Sequence, residues 1–352
     1  MPVTVSVPGR IEVLGNHTDY NGGRVLVVPT RKAVRVCLVP QNSPSLEILS
    51  AAFPAGVQRR TGSLRRAAGS LAWANHVLGA LRIGFREWPA RGGLRIEISG
   101  DLPVGFGLAS SAALCVGVLR AVARWSAKRI STPQVAAWAQ QVENEFVGVP
   151  VGPLDPLSCA WGHRGWITRL DFAGVPGRDQ APMPPGWRIL LFDTGVRRTL
   201  RTSAYARRRE ECAAAAAALG VPQLGSLSTA EFKRRARRLP EELRRRARHI
   251  VDESARVDAA MSILRSGRDF EAIGALLNDS QASSRENFEN SHPSIDATIW
   301  RLRAIRGVAG ARLTGGGFGG AVIAWVREGE VKRIVAAMAD RGPGAARLLD
   351  IA

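Results

Sequence analysis

Soft metal ligands are scarce in this chain: 352 residues contain four cysteines and five histidines. Cys37, Cys115, Cys159 and Cys212 lie far apart with no C-x-x-C pair, which excludes the usual zinc and dithiol patterns and predicts reduced, structural thiols. The histidines form no pair at helical spacing, so no protein-held transition metal is expected. No stretch approaches about 18 uncharged apolar residues, and the opening MPVTVSVPGR has no charged region followed by an apolar one. A cytoplasmic chain with no membrane partner is the expectation. Acidic residues are also in deficit, 30 against 49 Lys and Arg, giving a formal charge of +19.

That charge gathers in RRTLRTSAYARRR at 197–209 and KRRARRLPEELRRRAR at 233–248. Such a field attracts phosphates non-specifically. Neither run is interleaved with stacking aromatics beyond Tyr205, and no helix-turn-helix or zinc-finger pattern accompanies them, so no specific nucleic-acid partner is expected and the runs read as solvated helix faces.

What is present is an ordinary globular composition, 45% apolar and 22% charged. The length exceeds what one core supports, which predicts two domains with a cleft for a small ligand. Apolar runs at 3–7, 25–28, 33–39, 94–98, 188–192 and 321–325 predict strands, and helical patterns fall at about 109–127, 133–147, 203–219, 241–264 and 268–290. Ser131 or Thr132 with Pro133 forms a helix start. GVPGRDQAPMPPG at 174–186 reads as an exposed connection, so the domains are placed at 1–180 and 181–352.

Four stretches carry chemistry. PGRIEVLGNHTDYNGG, 8–23, sets Arg10, Asn16, His17 and Asp19 among glycines, a pattern no buried strand needs. PVGFGLASSAA, 103–113, opens an apolar helix and reads either as a serine-capped turn or as an anion site of free backbone N–H groups. LTGGGFGG, 313–320, requires close approach of another backbone or of a ligand; with the first glycine loop it predicts a polyphosphate cradle. ENEFVGVPVGPLD, 143–155, offers Glu143 and Asp155, one suited to Mg²⁺ held through phosphates and one to orienting or deprotonating a hydroxyl beside an arginine.

Together these stretches resemble the GHMP small-molecule kinases. The first resembles the galactokinase signature, PVGFGLASSAA the second motif of the superfamily and ARLTGGGFGG the third. LAWANHVLGAL, VENEFVGVPVGPLD, DTGVRRTLRTSAYARRREEC and NDSQASSRENFENSHPSID extend the similarity from about residue 5 to 326. The resemblance implies an α+β two-domain fold, an S5-like N-terminal half and a ferredoxin-like C-terminal half, with the active site in the cleft between them. It implies ATP and Mg²⁺ as cofactors and a monomer acting on a sugar. By position, Arg10 and Asp155 become catalytic at the anomeric hydroxyl, and Asn16, His17, Asp19, Gly152 and Tyr205 contact the sugar. Trp73 and His76 form the adenine pocket, Gly105, Gly107, Ser110, Ser111, Gly316 and Gly317 bind the nucleotide, and Ser111 and Glu143 serve the metal. Asn16 stands where galactokinases carry a glutamate at the primary hydroxyl. Ala109, Pro156 and His76 also depart from the pattern. The expected activity is phosphorylation of galactose or a close analogue at C1, giving α-D-galactose 1-phosphate and ADP; a C6-altered sugar such as galacturonate and a non-catalytic sugar and ATP sensor are the alternatives.

Overall fold

In a computed structural model of the chain, residues 1–60, 62–89, 92–196, 201–340 and 342–352 are described. Val3–Leu14 forms β1, and the runs expected as separate strands at 25–28 and 33–39 are parts of one strand, Arg24–Gln41 (β2). The residues divide into two units, Met1–Arg10 with Pro29–Gly162 and Ile11–Val28 with His163–Ala352. The chain thus passes from one unit to the other within β1 and again within β2, which a single boundary near residue 180 does not describe.

In the first unit β2 pairs antiparallel with β5 (Gly93–Gly100), from Val34 opposite Gly100 to Gln41 opposite Gly93. Between them in sequence come β3 (Ser45–Ser50), β4 (Phe53–Arg60) and α1 (Asn75–Glu87). β3 pairs parallel with β5 and antiparallel with β4. Val34, Val36 and Leu38 are buried while Arg35 and Cys37 point the other way, the period-two pattern of a sheet with one covered face. The cover includes α2 (Ser110–Trp125): a Cβ on its Gly117 would lie 2.9 Å from Val36, so the helix approaches the strand at van der Waals range. α3 (Thr132–Gln141) begins as expected, with Ser131 accepting from the Gln134 N–H and Pro133 in the first turn. The helical pattern expected to 147 instead finishes in a π-helical turn, Val142–Val147, and α4 (Leu154–Trp161) closes the unit.

The second unit begins with Arg24–Val27 of β2 paired antiparallel to β6 (Trp166–Asp171). The stretch expected to be an exposed connection contributes β7 (Gly177–Pro182), paired with β6 along its whole length. β8 (Trp187–Asp193) is followed by α5 (Arg201–Leu219), α6 (Thr229–Arg235), α7 (Glu241–Ser266), α8 (Ala272–Ser283) and α9 (Pro293–Arg303). β9 (Val308–Leu313), β10 (Ala321–Arg327), α10 (Val331–Ala339) and β11 (Arg347–Ile351) complete it. The sheet order is β11-β8-β10-β9, all antiparallel. Val322, Ala324 and Val326 of β10 pack with Ile295, Ile299 and Leu302 of α9 and Ile334 and Met338 of α10. The alternate residues Ala321, Ile323 and Trp325 are buried too, so the strand reads as a continuous apolar run. Cys212, Ala215, Ala216 and Leu219 on α5 meet Ala247, Ile250 and Val251 on α7 in a second core.

The arginine runs are not simply solvated faces. Residues 197–200 lie outside the described residues, but Arg208 and Arg246 are 9% and 1% exposed, and both pair with Glu211 and Glu289. Arg207 and Arg245 join the same carboxylates from outside. The four cysteines are free. Among the described residues no helix is long and apolar enough to cross a membrane.

Candidate functional site

In the first unit the loop between β5 and α2 has left-handed backbone at every second position, Gly105 (φ 87°), Gly107 (φ 72°) and Ala109 (φ 59°). Such alternation curls successive N–H groups toward one side, the geometry of an anion-binding nest. Ala109 occupies the N-cap of α2 and supplies no side-chain cap, so the serine-capped reading is not what forms. A Cβ added to Gly105 would meet nothing within 4 Å, leaving open space beside the loop. Ser110 and Ser111 follow in the first turn of α2, both half-buried.

Arg10 ties this loop to a carboxylate. Its backbone N–H donates to Leu108 O, one guanidinium nitrogen donates to Gly107 O, and the other lies 2.5 Å from Asp155 Oδ1. The arginine side chain is 7% exposed and that of Asp155 31%, so the pair has a buried base and an open tip. Asp155 sits in the first turn of α4 rather than in a loop. Gly152 lies just before it, on a segment pinned where Val151 donates to Asn144 Oδ1 and its carbonyl accepts from Gln140.

Glu143 is 3% exposed in the π-helical turn, and its Oε2 has no hydrogen-bond partner among the described residues. Burial raises its pKa to about 7, against a hydrogen bond with Ser111 that lowers it, with the Asp155 charge adding to the rise. A buried, half-satisfied carboxylate beside a serine hydroxyl fits a divalent cation that takes its remaining oxygens from phosphates and water. Among the described residues no group of three or more His, Cys, Asp or Glu could hold a metal ion. Trp73 stacks on Phe53, ring centroids 5.0 Å apart, with its buried Nε1 lacking a partner among the described residues. His76, on α1, is held neutral by burial despite a hydrogen bond with the Trp73 backbone.

The second unit holds the rest. In the loop after β1, Gly15 (φ 93°) and His17 (φ 62°) are left-handed, and the N–H groups of Gly15 and Asn16 both donate to Glu253 Oε2 of α7 at 3.0 Å. His17 lies against Tyr205 of α5 and Phe288, with ring centroids 5.1 and 4.5 Å apart. Burial, then the neighbouring His249, lowers its pKa to about 3. Since Gly316 O, 3.1 Å from Nε2, can only accept, the proton is on Nε2 and Nδ1 accepts from the Tyr20 hydroxyl at 2.8 Å. Asp19 is half-buried in the following turn, Asp19–Asn21.

One expectation is corrected here. Asn16 is 0% exposed: its amide donates to Glu12 Oε1 and Gly315 O, and its oxygen accepts from Asn290 Nδ2. An amide bound in this way has no hydrogen left to donate to a C6 carboxylate, so the ground for a C6-altered sugar is removed. The glycines of 313–320 also make contacts within the protein. Gly316 O meets His17, a Cβ on Gly316 would stand 3.4 Å from the Tyr205 ring, and one on Gly317 would stand 2.4 Å from Asn290 O. In this unit the glycine loop packs against His17, Tyr205 and Asn290.

Sequence reading missed Glu253, Asn290 and Phe288, which approach the signature loop from α7 and the segment after α8. All three lie well over 200 residues from that loop; Phe288 and Asn290 fall within NDSQASSRENFENSHPSID, which carries the resemblance without singling them out, and no local pattern marks Glu253.

Comparison with known proteins assigns this arrangement to a class. The GHMP kinases N terminal domain matches residues 75–163 and the GHMP kinases C terminal domain matches 259–344. The fold is that of the GHMP kinases, shared at a TM-score of 0.73 with Methanococcus jannaschii mevalonate kinase, which is 16% identical over 100% of this chain and 98% of that one. The galactokinase galactose-binding signature matches residues 1–40. A galactokinase of Roseiflexus sp. (strain RS-1) is 33% identical over 335 residues, 94% of this chain and 85% of that protein. The crystal structure of Lactococcus lactis galactokinase complexed with galactose superposes with a TM-score of 0.88 at 28% identity, covering 96% of this chain and 88% of that one. Within the GHMP kinases, this chain belongs to the galactokinase family.

Proposed function

We propose that the chain transfers the terminal phosphoryl group of ATP to the anomeric hydroxyl of galactose, releasing ADP. The observation that carries this reading is the Arg10 bridge: one guanidinium reaches both the carbonyl of Gly107 in the anion loop and the carboxylate of Asp155. Phosphoryl transfer demands alignment and charge neutralisation more than covalent chemistry. Arg10 supplies a fixed positive charge where negative charge develops on the transferred group. Asp155 accepts a hydrogen bond from the attacking hydroxyl and receives its proton as the new P–O bond forms. The loop N–H groups at 105–111 hold the phosphates. His17, Asp19, Tyr205 and Gly152 contact the sugar, Trp73 and His76 border the adenine, and Ser111 with Glu143 would hold Mg²⁺. When bound, that ion neutralises phosphate charge. Burial raises the Glu143 pKa to about 7, so the carboxylate would serve the cation in its ionised form.

Asp155→Asn tests the assignment. The variant is expected to bind galactose nearly as wild type does while kcat falls by on the order of a hundredfold or more. Wild-type turnover in the variant would contradict the role given to Asp155.

A further inference from the structure

Glu253 lies before residue 259, where the match to the GHMP kinases C terminal domain begins. It is a wholly buried carboxylate on α7, 0% exposed. Its Oε2 accepts two consecutive backbone N–H groups, those of Gly15 and Asn16, at 3.0 Å each, while Oε1 accepts from Arg256 at 2.6 Å. Burial alone would raise its pKa, but Arg256 and Arg312 hold it down at about 2, so it stays ionised over the whole working range. An ionised acceptor binding two donors in sequence fixes the planes of both peptides. The next residue is His17, whose left-handed backbone (φ 62°) is one that a β-carbon disfavours.

We infer that Glu253 is a positioning residue for the sugar site: it clamps the Gly15–Asn16 backbone so that His17 and Asp19 are presented in sugar-binding geometry before the sugar arrives. This rests on the reading that His17 and Asp19 contact the sugar. The partners of the clamp, Gly15, Asn16 and Arg256, include none of the residues proposed to bind ATP. Pre-organisation of this kind acts on substrate affinity, since a loop already in place loses no freedom when the ligand binds.

The test compares Glu253→Asp, which keeps the charge but draws the oxygens back by one methylene, with Glu253→Gln, which keeps an acceptor oxygen at the original reach. Steady-state kinetics on the full chain should show the galactose KM raised at least tenfold in Glu253→Asp and less in Glu253→Gln, with the ATP KM within twofold of wild type in both. A role confined to charge balance with Arg256 would give the opposite order, with Asp nearer wild type. His17→Ala is assayed alongside. If it leaves the galactose KM unchanged, the sugar-contact reading itself fails; if it raises that KM while both Glu253 variants match wild type, only the clamp fails. The reversed order, a parallel rise in the ATP KM, or failure of both Glu253 variants to fold would also overturn the inference.

Discussion

Asn16 carries a lesson at the scale of one residue: a polar side chain in a binding motif need not face the ligand. Its amide lies between Glu12, Gly315 and Asn290, and its own N–H is bound to Glu253. A glutamate at this position would remove both donors and set a second carboxylate against Glu12, with Arg312, 3.5 Å from Glu12, as the nearby compensating charge. Breaking a buried polar network by adding an unpaired charge typically costs about 3 kcal/mol or more. Asn16→Glu is therefore expected to lower the chemical denaturation midpoint clearly, and to leave the ratio of kcat/KM for galactose over galacturonate little changed in whatever fraction folds. A variant as stable as wild type with a sharply altered sugar ratio would show that the side chain faces the substrate.

At the scale of elements, two loops rich in glycine do different work. Gly107 (φ 72°) sits in the anion loop and presents its carbonyl to Arg10; Gly317 (φ 73°) sits against Asn290 with no room for a Cβ. A valine at either position is strained by about 1–3 kcal/mol from its backbone alone. Gly107→Val should weaken ATP at least tenfold in equilibrium titrations and galactose much less. Gly317→Val should do the reverse, because displacing Asn290 loosens the support of Asn16 and His17. Loss of ATP alone in both variants would support a phosphate role for the second loop. The strands β2, β5, β8 and β10 and the helices α2, α5 and α7 were legible because their apolar period or β-branched content is strong over many residues. β3, β4 and β7 were not: Ser45–Ser50 shows only the brief alternation of Leu46 and Ile48, Gly177–Pro182 has Ala181 alone buried, and these strands pair along β5 and β6. The π-helical turns at the ends of α3 and α8 continue the helical pattern in sequence and differ only in where the hydrogen bonds fall. Arg10, Glu143 and Asp155 were readable from local motifs and resemblance. The Asn16 network was not, since its partners are set by tertiary packing.

On the scale of the whole molecule, a charge of +19 coexists with arginines that are in part structural, holding α5 and α7 together through Glu211 and Glu289. Composition alone pointed toward polyanions, whereas the motifs and the comparisons place the chain among the galactokinases. Under the proposed function the phosphoryl group goes to the anomeric hydroxyl of galactose and to no other. The most direct measurement is ADP release by the wild-type chain with galactose and with 1-deoxygalactose, which differ only at that hydroxyl. Turnover is expected with galactose and none above the sugar-free background with the deoxy sugar, while equal rates with both would contradict the account.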